Sequence, residues 1–139
     1  MADSNSSYPK TAVCACGALT VSVVAPPVAI HACACLECQR RSGSAFSCTA
    51  FYALADTIVN GTFKGHRRIA ESGRFNEANF CPECGCAVFS RAEAWPDVIG
   101  VAVGCFTDPA FEQPGTLYWS SRRHGWLATP PGVAMHDRQ

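Results

Sequence analysis

The sequence has no excess of charge of either sign and contains few charged residues. Eleven lysines and arginines balance eleven aspartates and glutamates, and charged residues make up 16% of the 139 residues. Binding to nucleic acid or to an anionic membrane surface usually requires a basic patch or segment. The composition therefore predicts no nucleic-acid partner. The hydrophobic fraction of 48% indicates a compact globule rather than a disordered chain.

Long apolar segments are also missing. No run approaches the roughly 18 residues that a transmembrane helix needs, and the first ten residues contain none of the apolar core of a signal peptide. We therefore expect a cytoplasmic protein with no membrane partner. In a reducing cytosol, dense cysteine indicates metal binding or catalysis rather than a disulfide framework.

Sustained helical periodicity is absent as well. No stretch keeps a period of 3.6 residues for more than about two turns. Leu19, Val21 and Val23 instead alternate with polar residues, which is typical of a strand. A short helical turn is expected at 36–42, ended by Gly43, and Asn60-Gly61 predicts a hairpin between 57–59 and 62–64. The predicted fold class is mainly β, with antiparallel strands.

Cysteine, by contrast, is abundant. Seven of the ten cysteines form three clusters, Cys14-x-Cys16, Cys33-x-Cys35-x-x-Cys38 and Cys81-x-x-Cys84. Thiols this close are better placed to share a metal ion than to form disulfides with strict geometry. Four thiolates close a tetrahedral zinc site, whereas three leave one position open. Seven cysteines therefore suggest one closed, structural zinc site and one open, chemical zinc site.

The third cluster has the form of a zinc knuckle. Cys81 and Cys84 lie three residues apart, and Gly85 supplies the permissive backbone needed after the second ligand. A knuckle supplies half of a site, and Cys14 with Cys16 is the natural second half. The alternative is that these are merely buried cysteines of the core.

The middle cluster then remains for the open site. Cys33, Cys35 and Cys38 can surround one ion and leave a fourth position for water or a substrate thiol. The alternative is a second structural zinc, completed by His31, Cys48 or Cys86. An iron–sulfur cluster fits less well, because no four-cysteine ferredoxin spacing is present.

The order of these motifs resembles that of a known family. The motifs are Cys14-x-Cys16-Gly17, Cys33-x-Cys35-x-x-Cys38-Gln39-Arg40-x-Ser42-Gly43-Ser44-x-Phe46 and Phe80-Cys81-x-x-Cys84-Gly85. Together they resemble the glutathione-dependent formaldehyde-activating enzyme family, which includes centromere-protein-V-like members. The resemblance runs from about residue 11 to residue 126.

The resemblance implies a β-tent fold of antiparallel sheets stabilised by two zinc ions. The implied structural set is Cys14, Cys16, Cys81 and Cys84, and the implied catalytic set is Cys33, Cys35 and Cys38. Many members carry histidine inside the first and middle clusters, where this chain has Ala15 and Ala34. The expected organisation is a flexible N-terminal tail (1–10), one zinc-binding domain (11–132) and a C-terminal tail (133–139).

The resemblance also implies a reaction. Family members combine glutathione, the co-substrate, with formaldehyde to S-hydroxymethylglutathione, which is a carbon–sulfur lyase reaction in the cleavage direction. Glutathione carries two carboxylates, which arginine binds well. Arg40 is therefore the first candidate for a glutathione contact, with Gln39 and Ser42 as neighbouring hydrogen-bond donors. The expected partner is thus a small thiol or aldehyde. Two alternatives stay open, namely a zinc enzyme acting on a different thiol or aldehyde and a non-catalytic, zinc-stabilised protein-binding module. The sequence leaves the oligomeric state open.

Overall fold

The computed structural model describes residues 7–139, which form mostly short strands. The strands are β1 (Lys10–Val13), β2 (Thr20–Val23), β3 (Ala29–Cys33), β4 (Ser47–Ala53), β5 (Thr57–Asn60), β6 (Lys64–Ile69), β7 (Phe75–Phe80), β8 (Ala87–Ala92), β9 (Val98–Ala102), β10 (Thr116–Tyr118) and β11 (Ala134–His136). Helix α1 spans Leu36–Ser42, and 3-10 helices span Leu54–Asp56, Val103–Phe106 and Ser120–Arg122. The mainly β prediction is confirmed.

The strands form two sheets. The small sheet has the order β1-β2-β5, and the large sheet has the order β11-β10-β3-β4-β9-β8-β7-β6. Most neighbouring strands are antiparallel, as expected, but β10 runs parallel to both β3 and β11. The large sheet is therefore mixed. Parallel neighbours need a long connection, and residues 34–115 separate β3 from β10 while residues 119–133 separate β10 from β11.

The two faces of the large sheet have different surroundings. Ile30, Ala50, Tyr52, Ile99 and Val101 are buried, and they belong to one apolar cluster with the buried valines of β2. Because successive side chains of a strand point to opposite faces, the residues between them point away from this core. That second face lines a cavity and is called the cavity face below.

The hairpin predicted at Asn60-Gly61 is wrong. The strand before it, β5, pairs with β2 in the small sheet, whereas the strand after it, β6, pairs with β7 in the large sheet. Gly61 does turn the chain, with a φ of 103°, and a Cβ there would collide with the carbonyl of Ala18. The Asn-Gly signal thus marks a real turn, but the turn carries the chain from one sheet to the other.

Strands extend into both of the segments expected to be tails. Residues 1–6 of the expected N-terminal tail lie outside the described residues, and Lys10 already belongs to β1. At the other end, β11 pairs with β10, and the Ser121 hydroxyl donates to the Asp137 carbonyl at 2.7 Å. These backbone and side-chain hydrogen bonds hold part of 133–139 against the large sheet. No helix within residues 7–139 is long and apolar enough to span a membrane.

Candidate metal centres and the cavity beside them

The first and third cysteine clusters come together in space. The sulfurs of Cys14, Cys16, Cys81 and Cys84 all lie within 4.8 Å of one another, and the set is called the closed group below. Cys14 follows β1 and Cys81 follows β7, so this group joins the small sheet to the large one. Cys14 and Cys81 are buried, whereas Cys16 and Cys84 are exposed.

Two similar turns present these thiols. Gly17 and Gly85 follow the second cysteine of each pair with φ values of 85° and 77°. Their N–H groups donate back to the carbonyls of Cys14 (3.1 Å) and Cys81 (2.7 Å). A positive φ is strained for residues other than glycine, so these two glycines allow each pair of sulfurs to point the same way.

The spacing of the sulfurs fits a zinc ion. The Cys16 sulfur is 3.7 Å from the sulfurs of both Cys14 and Cys81. Tetrahedral zinc with bonds of about 2.3 Å requires sulfur–sulfur separations of about 3.8 Å. The Leu19 N–H also donates to the Cys14 sulfur at 3.2 Å. The closed group could therefore hold a metal ion, and its four soft sulfur donors suit zinc.

The protonation of this group also favours a cation. Although burial raises the pKa of Cys14, the Leu19 N–H and the neighbouring thiols lower it to about 6. The Ala18 backbone lowers the pKa of Cys16, but hydrogen bonds with Cys81 and Cys14 outweigh it and raise that pKa to about 12. Without a cation, the Cys14 thiol therefore loses its proton more readily than the Cys16 thiol.

The middle cluster forms a second group, called the open group below. The sulfurs of Cys33, Cys35 and Cys38 lie within 4.8 Å of one another. Cys33 ends β3, and Cys35 caps the N-terminus of α1, where its sulfur accepts the Cys38 N–H at 3.3 Å. As the sequence predicted, α1 ends at Gly43, which has a φ of 65° and donates its N–H to Gln39. The strand end and one helical turn thus place three thiols at one corner.

Within this group, Cys33 and Cys38 share a hydrogen bond that shifts the pKa values of the two thiols in opposite directions. A hydrogen bond from Cys33, supported by Ser47, lowers the pKa of Cys38 to about 5 against the effect of burial. The same contact with Cys38, together with burial, raises the pKa of Cys33. Arg41 adds an attractive positive charge near Cys38. The open group could therefore also hold a metal ion, with three protein sulfurs as donors.

The three candidates for a fourth ligand, His31, Cys48 and Cys86, are not part of the open group. In the part of the chain that the structure describes, no further histidine, cysteine or acidic residue joins the three sulfurs. His31 lines the same cavity as the three cysteines but is not part of their group, and burial lowers its pKa. Cys48 packs against the core, and the Cys86 sulfur lies 3.8 Å from that of Cys105. The four-ligand alternative therefore gains no support from these positions.

The open group lies at a cavity of about 180 Å³ on the cavity face of the large sheet. The lining comes from α1 and from seven adjacent strands, with Tyr118 on β10, Cys33 on β3, Phe51 on β4, Gly100 on β9, Ser90 on β8, Asn76 on β7 and Arg68 on β6. The Arg68 Nε lies 3.7 Å from the Glu37 Oε2 of α1, although four strands separate β3 from β6. The large sheet therefore curls around the cavity.

Aromatic side chains form one wall of this cavity. His31 lies between Phe51 and Tyr118, with ring centroids 5.1 Å and 5.0 Å away. Phe51 also packs against Trp95 at 5.2 Å. Gly100 forms part of the floor, where a Cβ would approach the Ser90 Oγ to 2.7 Å. The cavity thus combines apolar walls with polar groups, as ligand sites commonly do.

The three residues proposed from sequence as glutathione contacts lie outside the cavity lining. Arg40 is exposed and lies 3.9 Å from Glu37, with which it forms an ion pair. The Gln39 amide donates to the carbonyls of Ala34 (2.8 Å) and Arg122 (3.0 Å), and the Ser42 hydroxyl donates to the Cys38 carbonyl at 2.7 Å. Gln39 thus ties α1 to the segment around Arg122, whereas the hydrogen bond of Ser42 lies within α1.

Other polar residues line the cavity instead. Arg41, Arg68, Arg91 and Asn76 are among them. Arg40 is the arginine that the sequence favours, because it lies two residues from Cys38, but its neighbour Arg41 is the one that lines the cavity. No local pattern in 64–69 singles out Arg68, because only the register of β6 against β7 places that face over the cavity.

Comparison with known proteins agrees with this arrangement. The fold and site define a small, mainly β protein with two cysteine groups able to hold metal ions. The family model of the glutathione-dependent formaldehyde-activating enzyme matches residues 9–122. The chain belongs to this family, as the motifs predicted.

Solved structures support the fold alone. A Rhodobacter sphaeroides protein of known crystal structure has a TM-score of 0.54 and 22% sequence identity, covering 68% of this chain and 85% of that chain. A search among curated proteins found no match.

Proposed function

We propose that this protein is a zinc-dependent, carbon–sulfur lyase-type enzyme that forms or cleaves adducts of glutathione with an aldehyde, such as S-hydroxymethylglutathione. The observation that carries the proposal is the open group of three cysteines at a cavity that also presents arginines. A site for sulfur thus adjoins groups that bind carboxylates, and glutathione contains both. The family name supports the same substrate pair.

The two cysteine groups would have different roles. Cys14, Cys16, Cys81 and Cys84 would hold a structural zinc, because four sulfurs leave no position for a substrate. Cys33, Cys35 and Cys38 would hold the catalytic zinc, which when bound lowers the pKa of a substrate thiol at the remaining position. Three thiolates give that centre a formal charge of −3 + 2 = −1 and favour a soft sulfur ligand.

The residues of the cavity would orient and shield the reactants. In the cleavage direction, the carbon–sulfur bond of S-hydroxymethylglutathione breaks, the hydroxyl proton leaves oxygen, and formaldehyde and the glutathione thiol are released. The aromatic wall of His31, Phe51 and Tyr118 would limit the access of water to the reacting carbon. Holding sulfur and aldehyde together would supply most of the acceleration, because it turns an encounter of two molecules into a reaction within one complex.

A cytoplasmic location fits this proposal, because reduced glutathione and free protein thiols coexist there. The partners would be small thiols and aldehydes. The balanced charge of the chain provides no excess of positive charge for binding a nucleic acid. A domain over 11–132 contains both cysteine groups.

The zinc-loaded protein should accelerate the formation of S-hydroxymethylglutathione from glutathione and formaldehyde. We expect at least about a tenfold gain over the spontaneous rate, which corresponds to a barrier lower by about 1.4 kcal/mol. Exchange spectroscopy by NMR measures both rates at equilibrium. A rate equal to that in buffer would rule out the proposed reaction. Acceleration only with another thiol or aldehyde would favour a different substrate. Inactivity with every pair tested would favour the protein-binding module.

A further inference from the structure

Two arginine doublets each place one arginine at the cavity and the other away from it. Arg41 and Arg68 line the cavity, whereas Arg40 and Arg67 do not. Arg67 lies on the opposite face of β6, where its Nε donates to Glu77 at 2.9 Å and its guanidinium covers the ring of Phe75 at 3.9 Å. Neighbouring residues of the same type are therefore held in different surroundings.

Arg68 has hydrogen-bonding capacity that the protein leaves unused. Its Nε is buried and has no hydrogen-bond partner among the described residues. The Glu37 carboxylate lies 3.7 Å away, which is close enough for an ion pair but too far for a hydrogen bond. A buried N–H without an acceptor is costly, and the Arg68 side chain as a whole is 34% exposed. An anion in the cavity can therefore reach the guanidinium and, with a small rotation of the side chain, satisfy this group.

The cavity around Arg68 suits a negative ligand. Asn76 lies directly opposite Arg68 on β7, and its side chain belongs to the same lining. Arg41 contributes from α1, and no aspartate or glutamate lines the cavity within residues 7–139. Glu37 is the nearby acidic side chain, and it also lies 3.9 Å from Arg40. The positive charges of Arg41, Arg68 and Arg91 in the lining thus exceed the single negative charge of the zinc-loaded open group together with that of Glu37.

The same cavity contains both this polar region and the three sulfurs of the open group. A ligand that occupies it can therefore place a sulfur at one end and an anionic group at the other. Arginine matches carboxylates especially well, because its planar guanidinium presents two parallel N–H groups.

We propose that Arg68, with Asn76 and Arg41, forms a carboxylate-binding subsite that selects thiol substrates carrying a carboxylate remote from the sulfur. This inference rests on the proposed function, since it assigns the sulfur to the open group, and it adds the feature by which the site distinguishes acidic thiols from neutral ones. Arg68 is the central residue, and Arg40, Gln39 and Ser42 have no part in the subsite.

Binding affinities measured by titration calorimetry on the zinc-loaded protein, with no formaldehyde present, test the subsite. The ligands are glutathione and glutathione diethyl ester, which differ in their carboxylates but share the thiol. We expect the wild type to bind glutathione about 10- to 100-fold more tightly than the ester, as charged hydrogen bonds imply. In Arg68→Gln this ratio should fall towards one, whereas Arg67→Gln should keep it. Arg68→Lys should give an intermediate ratio, because it keeps the charge without the planar pair of donors.

The results separate this inference from the proposed function. Selective binding of glutathione without any acceleration of adduct formation would support the subsite and rule out the proposed reaction. Acceleration without discrimination between glutathione and its ester would keep the reaction and overturn the subsite. Binding of neither ligand by the wild type, or equal losses in Arg67→Gln and Arg68→Gln, would also overturn it. The ester comparison uses unmodified protein, so it stands even if a variant folds poorly, which circular dichroism would reveal.

Discussion

Replacing Cys81 by serine is expected to leave the protein largely unfolded at room temperature. The Cys81 sulfur is fully buried and lies 3.7 Å from the Cys16 sulfur, so it forms part of the link between the two sheets. Structural zinc in small domains contributes about 10 kcal/mol or more, which is comparable to the whole stability of a typical domain, about 5–15 kcal/mol. Thermal unfolding followed by circular dichroism measures the loss.

Cys86→Ser is the matched control for this prediction. Cys86 lies two residues beyond Cys84 in the same turn region, but its sulfur is near that of Cys105 and outside the closed group. This variant should stay folded and keep its full zinc content, with at most a modest loss of stability. A Cys81→Ser protein that melts at the wild-type temperature would show that the closed group does not support the fold.

Replacing Cys38 by serine should have the opposite pattern, with activity lost and the fold kept. Cys38 lies on α1, and its hydrogen bond with Cys33 lowers the pKa of its thiol to about 5. Helix α1 has no fully buried residue, so loss of this thiol should cost little stability. We expect the zinc content to fall by one ion per chain and adduct formation to return to the spontaneous rate.

Cys48→Ala controls for the removal of a nearby thiol. Cys48 lies on β4 next to Ser47, but it packs against the core rather than joining the open group. Its loss should leave zinc content and rate unchanged, with some loss of stability from the small cavity left behind. Unchanged adduct formation in Cys38→Ser would contradict a catalytic role for the open group.

Local chemistry made much of the site predictable from sequence. Cysteines two or three residues apart can share an ion wherever the chain folds, and glycine after the second cysteine indicates the turn that presents them. The pairing of the first and third clusters was predicted from the four ligands of a structural zinc ion, because each cluster supplies two of them. The structure brings those four sulfurs together, as it does the other three. Whether each group contains zinc remains a prediction.

Non-local geometry limited the rest. Asn60-Gly61 indicated a turn correctly, but no local feature revealed that β5 and β6 would join different sheets. The polar lining of the cavity depends on the curl of the large sheet, which brings Arg68 towards α1 across four intervening strands. Distance along the chain favoured Arg40, whereas the helix turns its neighbour Arg41 towards the cavity. Cavity residues that come from distant strands can be identified only once the pairing register of those strands is known.

The central claim is that one chain holds two zinc ions in chemically different sites. Elemental analysis of gently purified protein, followed by timed removal of zinc by a chelator with and without glutathione, tests it most directly. The account predicts two zinc ions per chain, of which one leaves quickly at a rate that glutathione changes and one leaves only as the protein unfolds. Two equally inert ions with no response to glutathione, or fewer than two ions, would contradict it.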